Sequence, residues 1–416
     1  MDIVYFYHMG TLQKVALFTN EYPPTIYGGA GVHVEYLSKA LAEFVEVEVR
    51  CFGDQLEDEP NLSVRGYQPW EEMGRNTDPR FVSATGALSR SLAMAKDTLK
   101  ADVVHSHTWY TQMAGLLAGK LWDMPAVLTT HSLEPLRPWK VEQLGSAYHL
   151  SSWIERTAIE NADAVIAVSQ ETREDIVTHF GAAAGKTHVV HNGIDLSEYR
   201  RDPNTDVLKH YGVDTERPYV LFVGRITRQK GIIHLVEAIQ HLHPGTQVVL
   251  LAGAPDTDLI AQEMTDRVAE AQQRGYEVIW IQEMLPRPAT IQFYSHARVF
   301  CCPSVYEPFG IINLEAMACE TAVVASRVGG IPEVVVPEET GVLVDCLLER
   351  GTFVPQDPKK FAKDLAAGIN RLMDDPTLAQ KMGEAGRQRA EEHFSWRAIA
   401  RRTIELYQSL LDQRSV

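Results

Sequence analysis

The chain has 416 residues, too long for one ordinary core and long enough for two of about 200 residues each. Its 45% hydrophobic and 23% charged content is that of a globular protein. A formal charge of -16 with no long basic run argues against nucleic acid or an anionic membrane as partner, although a few basic side chains in one cleft suffice for a nucleotide or sugar phosphate. No stretch reaches the roughly 18 apolar residues that span a bilayer. Residues 1–13, MDIVYFYHMGTLQ, lack the basic start and cleavage pattern of a signal peptide and are read as an N-terminal extension without assigned function. The five cysteines at 51, 301, 302, 319 and 346 show no CxxC spacing. They read as buried free thiols in a reducing cytoplasm.

In chain order, KVALFTN (14–20) is a predicted strand, followed by a Pro/Gly loop. A helix from about Gly31 places Val32, Tyr36, Leu37, Ala40, Leu41 and Phe44 on one face at three-to-four spacing. VEVRCFG (47–53), DVVHSHT (102–108), PAVLTTH (125–131), DAVIAVS (163–169) and THVVHNG (187–193) are further strands, and Ser169 is a candidate N-cap. A polar stretch, RRDPNTD (200–206), then interrupts the alternation. It restarts with YVLFVGR (219–225), QVVLLAG (247–253), EVIWIQ (277–282), VFCCPS (299–304) and TAVVAS (321–326). Apolar, β-branched strands alternating with helices imply parallel sheets covered on both faces. The expected fold class is therefore α/β, with two Rossmann-like domains facing each other, 14–200 and 201–395. The amphipathic segment 396–416 is expected to return to the first.

Ligands of such sheets bind beyond the carboxyl ends of strands. After the first strand, Gly28, Gly29 and Gly31 in NEYPPTIYGGAGVHV precede a helix, where backbone amides can approach an anion. It is not a GxGxxG, so a nicotinamide dehydrogenase is disfavoured. His131 ends the fourth strand, and a purely structural histidine fits as well as a functional one. The HSH at 105–107 puts two histidines on one strand face, but without a further ligand cluster no metal site is read there. Arg137 and Lys140 follow His131 in a proline-rich loop and suit either an anion or solvent.

In the second series, Arg225 leaves its strand and Lys230 follows five residues later. A guanidinium and an ammonium at a helix start form a metal-free clamp for a diphosphate. APDTD (254–258) contains an Asp-x-Asp and is read as a solvated helix start. In CPSVYEPFGIINLEAMAC, Glu307 stands after a strand and Pro308-Phe309-Gly310 makes the turn. A helix then runs from Ile311 with Glu315 in its early turns. Its first amides, near Gly310 and Ile311, suit phosphate oxygens.

EYPPTIYGGAGVHV, HSHTWY, HSLEPLRPWKVEQLG, VGRITRQKG and PSVYEPFGIINLEAMAC together resemble a retaining, family 4 type nucleotide-sugar glycosyltransferase. Within that family the likeness is to the bacterial ADP-glucose-dependent glycogen synthase and α-maltose-1-phosphate synthase group, from about residue 14 to the end. The resemblance implies the GT-B fold, with an N-terminal acceptor domain and a C-terminal donor domain, and no metal or other cofactor. It implies that Arg225 and Lys230 hold the donor diphosphate, beside Gly224. Glu307 would bind hydroxyls of the donor sugar, Glu315 the ribose, and Phe309, Gly310 and Ile311 would line the same site. Gly28, Gly29 and Gly31 would lie near the donor sugar and phosphates, His131 beside the reacting carbon, and Glu134, Arg137 and Lys140 toward the acceptor. The partners would be a nucleotide sugar and a glucan or sugar-phosphate acceptor, and a homodimer is left open. Other donors such as UDP-glucose or GDP-mannose, a sugar-nucleotide epimerase and a non-catalytic nucleotide-sugar binding module remain as alternatives.

Overall fold

The computed structural model describes residues 12–137, 145, 147–181, 184–349 and 352–414. The chain forms two compact units, Met1–Gly193 with Trp396–Val416, and Ile194–Ser395. Among the described residues no helix is long and apolar enough to cross a membrane.

The first unit is built on an eight-stranded sheet: β1 (Lys14–Phe18), β2 (Glu46–Phe52), β3 (Leu56–Glu59), β4 (Leu62–Tyr67), β5 (Val103–His107), β6 (Ala126–Thr130), β7 (Ala164–Ala167) and β8 (Thr187–Val189). Their spatial order is β3-β4-β2-β1-β5-β6-β7-β8. All neighbours are parallel except β3 and β4, an antiparallel edge pair. That pair was not expected: LEDE in β3 is exposed along its whole length and has Leu56 as its single apolar residue. The inner strands are buried on both faces, so β1 and β7 run apolar without alternation, whereas β5 and β6 turn polar toward their carboxyl ends as VVHSH and AVLTT.

The helix Gly29–Ala42 buries Val34, Tyr36, Leu37, Ala40 and Leu41 against this sheet. It ends before Phe44, which is partly exposed, its ring covered by the guanidinium groups of Arg397 and Arg401. The helix Trp396–Arg414 packs on the same core through Trp396, Ile399, Ala400, Leu406, Tyr407 and Leu410. Trp396 stacks on Tyr36 with ring centroids 5.8 Å apart.

The second unit holds six parallel strands: β9 (Tyr219–Arg225), β10 (Gln247–Gly253), β11 (Glu277–Ile281), β12 (Val299–Cys302), β13 (Ala322–Ser326) and β14 (Gly341–Val344), in the order β11-β10-β9-β12-β13-β14. The short edge strand β14 has no counterpart in the sequence reading. Helices Ile232–Ala238, Asp258–Gln273 and Pro358–Asp374 supply Leu235, Met264, Phe361, Leu365 and Ile369 to its core. All five cysteines are free and buried.

Strand order reverses once in each sheet. In the first unit the chain runs from β1 outward to β2 and later returns to β5 on β1's other side. In the second it runs from β9 to β10 and returns to β12. The loops leaving β1 and β5, and those leaving β9 and β12, therefore diverge and open a crevice at each carboxyl edge.

Candidate active site

In the second unit the reversal gathers the charged residues singled out from the sequence. Arg225 is the last residue of β9, Lys230 lies in the loop that follows, and Glu307 lies in the loop after β12. Lys230 Nζ donates to Glu307 Oε2 at 2.6 Å, and Ser304 Oγ donates to the same oxygen at 3.2 Å. The two charged side chains are 16% and 8% exposed, so each shields the other from an unpaired burial. Lys230 retains two further N–H donors and Glu307 its other carboxylate oxygen. The backbone of Glu307 is pinned as well, its carbonyl accepting from Gly330 at 3.0 Å. Gly329 sits against that carbonyl with φ of 57°, and a Cβ there would lie 1.8 Å from the oxygen, so only glycine fits.

Arg225 Nη1 donates to Asp256 Oδ1 at 3.0 Å. Asp256 follows β10, and its side chain is only 6% exposed. The reading of APDTD as a solvated helix start is thus corrected for Asp256, whose burial beside a strand-end arginine makes it that cation's counter-charge. Thr257 is the N-cap, and exposed Asp258 opens the helix. Each cation of the expected clamp therefore has a carboxylate of its own.

Glu315 lies in the helix Ile311–Ala318, with Oε1 accepting from Tyr199 at 3.1 Å and Oε2 from Tyr294 at 2.9 Å. Burial raises the Glu315 pKa, opposed by these two hydroxyls. Burial and the carboxylate beside them push both tyrosines well above their ordinary range, so they remain donors. Gly310 precedes the helix with φ of 93°, and Ile311 is its first residue. First-turn amides have no intrahelical carbonyl. Phe309 is core: it is 2% exposed and meets Phe394 edge-on at 5.9 Å. Its side chain has no surface to offer a ligand. Gly224 is the penultimate residue of β9.

In the first unit, Glu21 organises the glycine loop. Its Oε2 accepts from the amides of Tyr27 and Gly28, both at 2.8 Å. A Cβ on Gly31 would fall 2.8 Å from Glu21 Cβ, so this glycine admits the carboxylate's stem. The Gly28 amide is thereby engaged inside the loop rather than offered to an anion. Among the described residues, the Gly29 and Ala30 amides are the first-turn donors left without an acceptor. Thr108, after β5, adopts φ of 64°, costly for a β-branched residue, and donates to Asn20 Oδ1 at 2.8 Å across the reversal point.

His131, immediately after β6, does not stand alone. Its Nε2 lies 3.0 Å from His107 Nδ1, and its ring meets that of His33 at 4.7 Å. His33 Nδ1 bonds to Asn192 Oδ1 at 2.6 Å, and His105 bonds to Tyr407 and Thr129. Burial lowers the His33 pKa to about 4 and that of His105 to about 3, and takes His107 and His131 well below their usual range. The cluster is therefore a set of neutral imidazoles at neutral pH.

Nitrogens of His33, His107 and His131 lie within 4.8 Å of one another, a grouping that the sequence reading missed because His33 comes from a distant helix. The Nε2 atoms of His33 and His107 are buried without partners. A tetrahedral zinc with bonds of about 2.0–2.1 Å needs its nitrogens roughly 3.4 Å apart. These rings would have to draw together to hold one.

Of the expected acceptor residues, Glu134 is 1% exposed and its carboxylate accepts from Ser151 Oγ at 2.7 Å. It shapes the loop from inside and presents no exposed oxygen. Arg137 donates from Nη1 to Ser132 Oγ at 3.0 Å, while its Nε is buried without an acceptor. Lys140 lies outside the described residues.

Residues 27–198 match the family described as Glycosyltransferase Family 4, and residues 204–389 match Glycosyl transferases group 1. The α-maltose-1-phosphate synthase of Mycolicibacterium smegmatis is 48% identical over 405 residues, 95% of this chain and 99% of that protein. The chain belongs to glycosyltransferase family 4. The glycogen synthase of Mycobacterium tuberculosis strain H37Rv is 29% identical over 95% of this chain and 94% of that protein. Sucrose-phosphate synthase of Thermosynechococcus elongatus shares the fold with a TM-score of 0.75 and 27% identity, over 96% of this chain and 99% of that one. This family 4 glycosyltransferase thus has the GT-B architecture of two α/β units with parallel sheets expected from its sequence. The residues missed at its site were the partners: Glu21, Asp256, Tyr199 and Tyr294. Each lies from six to 116 positions from the group it holds. No periodicity links such pairs, and the one available signal was an acidic residue just before a glycine loop or after a strand.

Proposed function

We propose that the enzyme transfers a glucosyl group from ADP-glucose to the C4 hydroxyl of α-glucose 1-phosphate, forming an α-1,4 bond with retention, and that an α-glucan is its second acceptor. The observation that carries this reading is the 48% identity to α-maltose-1-phosphate synthase over nearly the whole of both chains, against 29% to glycogen synthase.

In the reaction the bond between the anomeric carbon and the phosphate oxygen breaks, and ADP leaves with the electron pair. The acceptor's O4 bonds to the same face of that carbon, and its proton passes to the departing phosphate. Arg225, the free N–H groups of Lys230 and the amides at Gly310 and Ile311 stabilise the diphosphate's growing charge without a metal ion. Glu307, its position fixed by Lys230 and Gly330, accepts from donor sugar hydroxyls through its remaining oxygen. Glu315, held by Tyr199 and Tyr294, has lone pairs left for the ribose. Neutral His131 offers a hydrogen bond beside the anomeric centre without adding positive charge where the sugar itself becomes positive. No carboxylate is assigned as nucleophile, unlike the paired carboxylates of retaining glycosidases. The buried free thiols suit a reducing cytoplasm.

A donor-by-acceptor matrix tests this: ADP-glucose, UDP-glucose and GDP-mannose against glucose 1-phosphate, maltose and glycogen, with products identified by mass and anomeric coupling. The expected main product is maltose 1-phosphate, from ADP-glucose and glucose 1-phosphate. Faster turnover with another donor, or transfer to glycogen alone, would overturn the corresponding half.

A further inference from the structure

Two arginines, Arg50 and Arg90, sit inside the first unit, and they are provided for very differently. Arg50, on β2, is fully buried, and its guanidinium donates to the carbonyls of Met94, Asp97 and Thr98 and to Glu48. Arg90, on the helix Val82–Lys96, is half-buried, and its Nε is sealed from solvent without an acceptor. Its guanidinium lies 4.8 Å from the Phe52 ring centre, and among the described residues no carboxylate forms an ion pair with it. Burial lowers its pKa, yet an arginine keeps its charge in proteins. A cation so placed is incomplete without an anion.

Arg90 lines a cavity of about 650 Å³, within the range of small-ligand sites. Tyr27, Trp70 and Tyr110 also line it, giving flat faces with polar edges. The carboxylates on its wall are Glu21, engaged by the Tyr27 and Gly28 amides, and Glu71, which is exposed. The cavity includes Asn20, Glu21 and Tyr27 of the loop leaving β1, and so reaches the reversal point of the sheet. With a chain charge of -16, an anion is drawn here by this local guanidinium and not by the protein as a whole.

We propose that this cavity is the acceptor subsite and that Arg90 binds the phosphoryl group of a sugar-phosphate acceptor, its planar fork meeting two phosphate oxygens. This rests on the sugar-phosphate arm of the reading above, and makes Arg90 the residue that distinguishes a phosphorylated acceptor from a neutral glucan. The resemblance in the sequence points instead to Arg137 and Lys140 on the acceptor side.

The test uses the full chain and its Arg90→Gln and Arg90→Lys variants. Michaelis constants are measured for glucose 1-phosphate and for maltoheptaose, and calorimetric titrations use glucose 1-phosphate, inorganic phosphate and glucose. Arg90→Gln raises KM for glucose 1-phosphate about tenfold to a hundredfold and leaves that for maltoheptaose within about twofold. Arg90→Lys falls between, since a point charge replaces the fork, and it carries the test if the glutamine variant does not fold. Equal effects on both acceptors, or an unchanged KM for glucose 1-phosphate, overturn the proposal. If the wild type transfers to glucans but never to glucose 1-phosphate, the acceptor arm of the functional reading fails. The titrations then decide this site separately: phosphate binding present in the wild type and lost in Arg90→Gln sustains an anion site, and its absence from the wild type removes it.

Discussion

The two units solve the problem of buried polar groups in opposite ways. At the carboxyl edge of the second sheet acid and base are matched in pairs, Lys230 with Glu307 and Arg225 with Asp256, while Glu315 is held by two tyrosines. At the edge of the first sheet the cluster is one of histidines kept neutral by burial. The difference teaches what each side is prepared for. Matched charges can trade partners, so in the proposed reaction a polyanionic donor would exchange one set of ionic bonds for another instead of entering an unbalanced field. Neutral rings add no positive charge at the edge of the first sheet, and Arg90 is the one cation among the described residues that line the cavity there.

The largest effect comes from breaking a match. Glu307→Gln should lower kcat by at least about a hundredfold while circular dichroism stays native, because the amide has one oxygen where the carboxylate has two, and the anchor of Lys230 and the oxygen proposed to meet the sugar cannot both be kept. Near-wild-type turnover would remove Glu307 from the site.

Acid should break the other side. The histidines' folded pKa values lie below the unfolded value of about 6.5, so the unfolded chain binds more protons between the two. Stability is therefore full above about pH 6.5 and is lost as pH falls toward 4, each histidine contributing up to about 1.4 kcal/mol per pH unit. Urea midpoints measured from pH 8 to 4.5 check this: a flat profile down to pH 5 would mean that the imidazoles are not sealed.

Replacing the two tyrosines that hold Glu315, Tyr199→Phe with Tyr294→Phe, should raise the donor KM about tenfold with a smaller change in kcat. Steady-state kinetics with a ribose and a deoxyribose donor sharpen the point, since the double variant should discriminate between them less well. Unchanged discrimination would separate Glu315 from the ribose.

The smallest effect is the most diagnostic for the histidine group. Prolonged treatment with a strong chelator should leave activity within about twofold, and elemental analysis should find no stoichiometric zinc. A metal bound at His33, His107 and His131 would reverse both results.

Much of the scaffold was legible because inner parallel strands must be apolar on both faces, and VVLLA or AVIAV is hard to read otherwise. The exposed β3 was not, since an edge strand that faces water has no burial to record. Phe44 misled for a related reason: it continues the helical spacing of its neighbours, but the helix has already ended at Ala42. At the site, Glu307 and Lys230 stood out as charges beside turns at strand ends. That they bond to each other did not, because contact across 77 positions is a property of the reversed strand order. Arg90 was invisible for the same reason. On its own helix it is an ordinary polar residue, and only the cavity gives it meaning.

The helix Trp396–Arg414 carries one more consequence. Its Trp396, Ile399 and Tyr407 belong to the core around β1 and β5, and Tyr407 closes the bond to buried His105. The ribosome delivers those residues only after the whole of the second unit. The first unit, begun earliest, must therefore wait with an open flank while the second completes itself. The order in which the two halves mature runs opposite to the order in which they are begun, and a chain cut short near residue 395 would leave the earlier half unfinished and the later half whole.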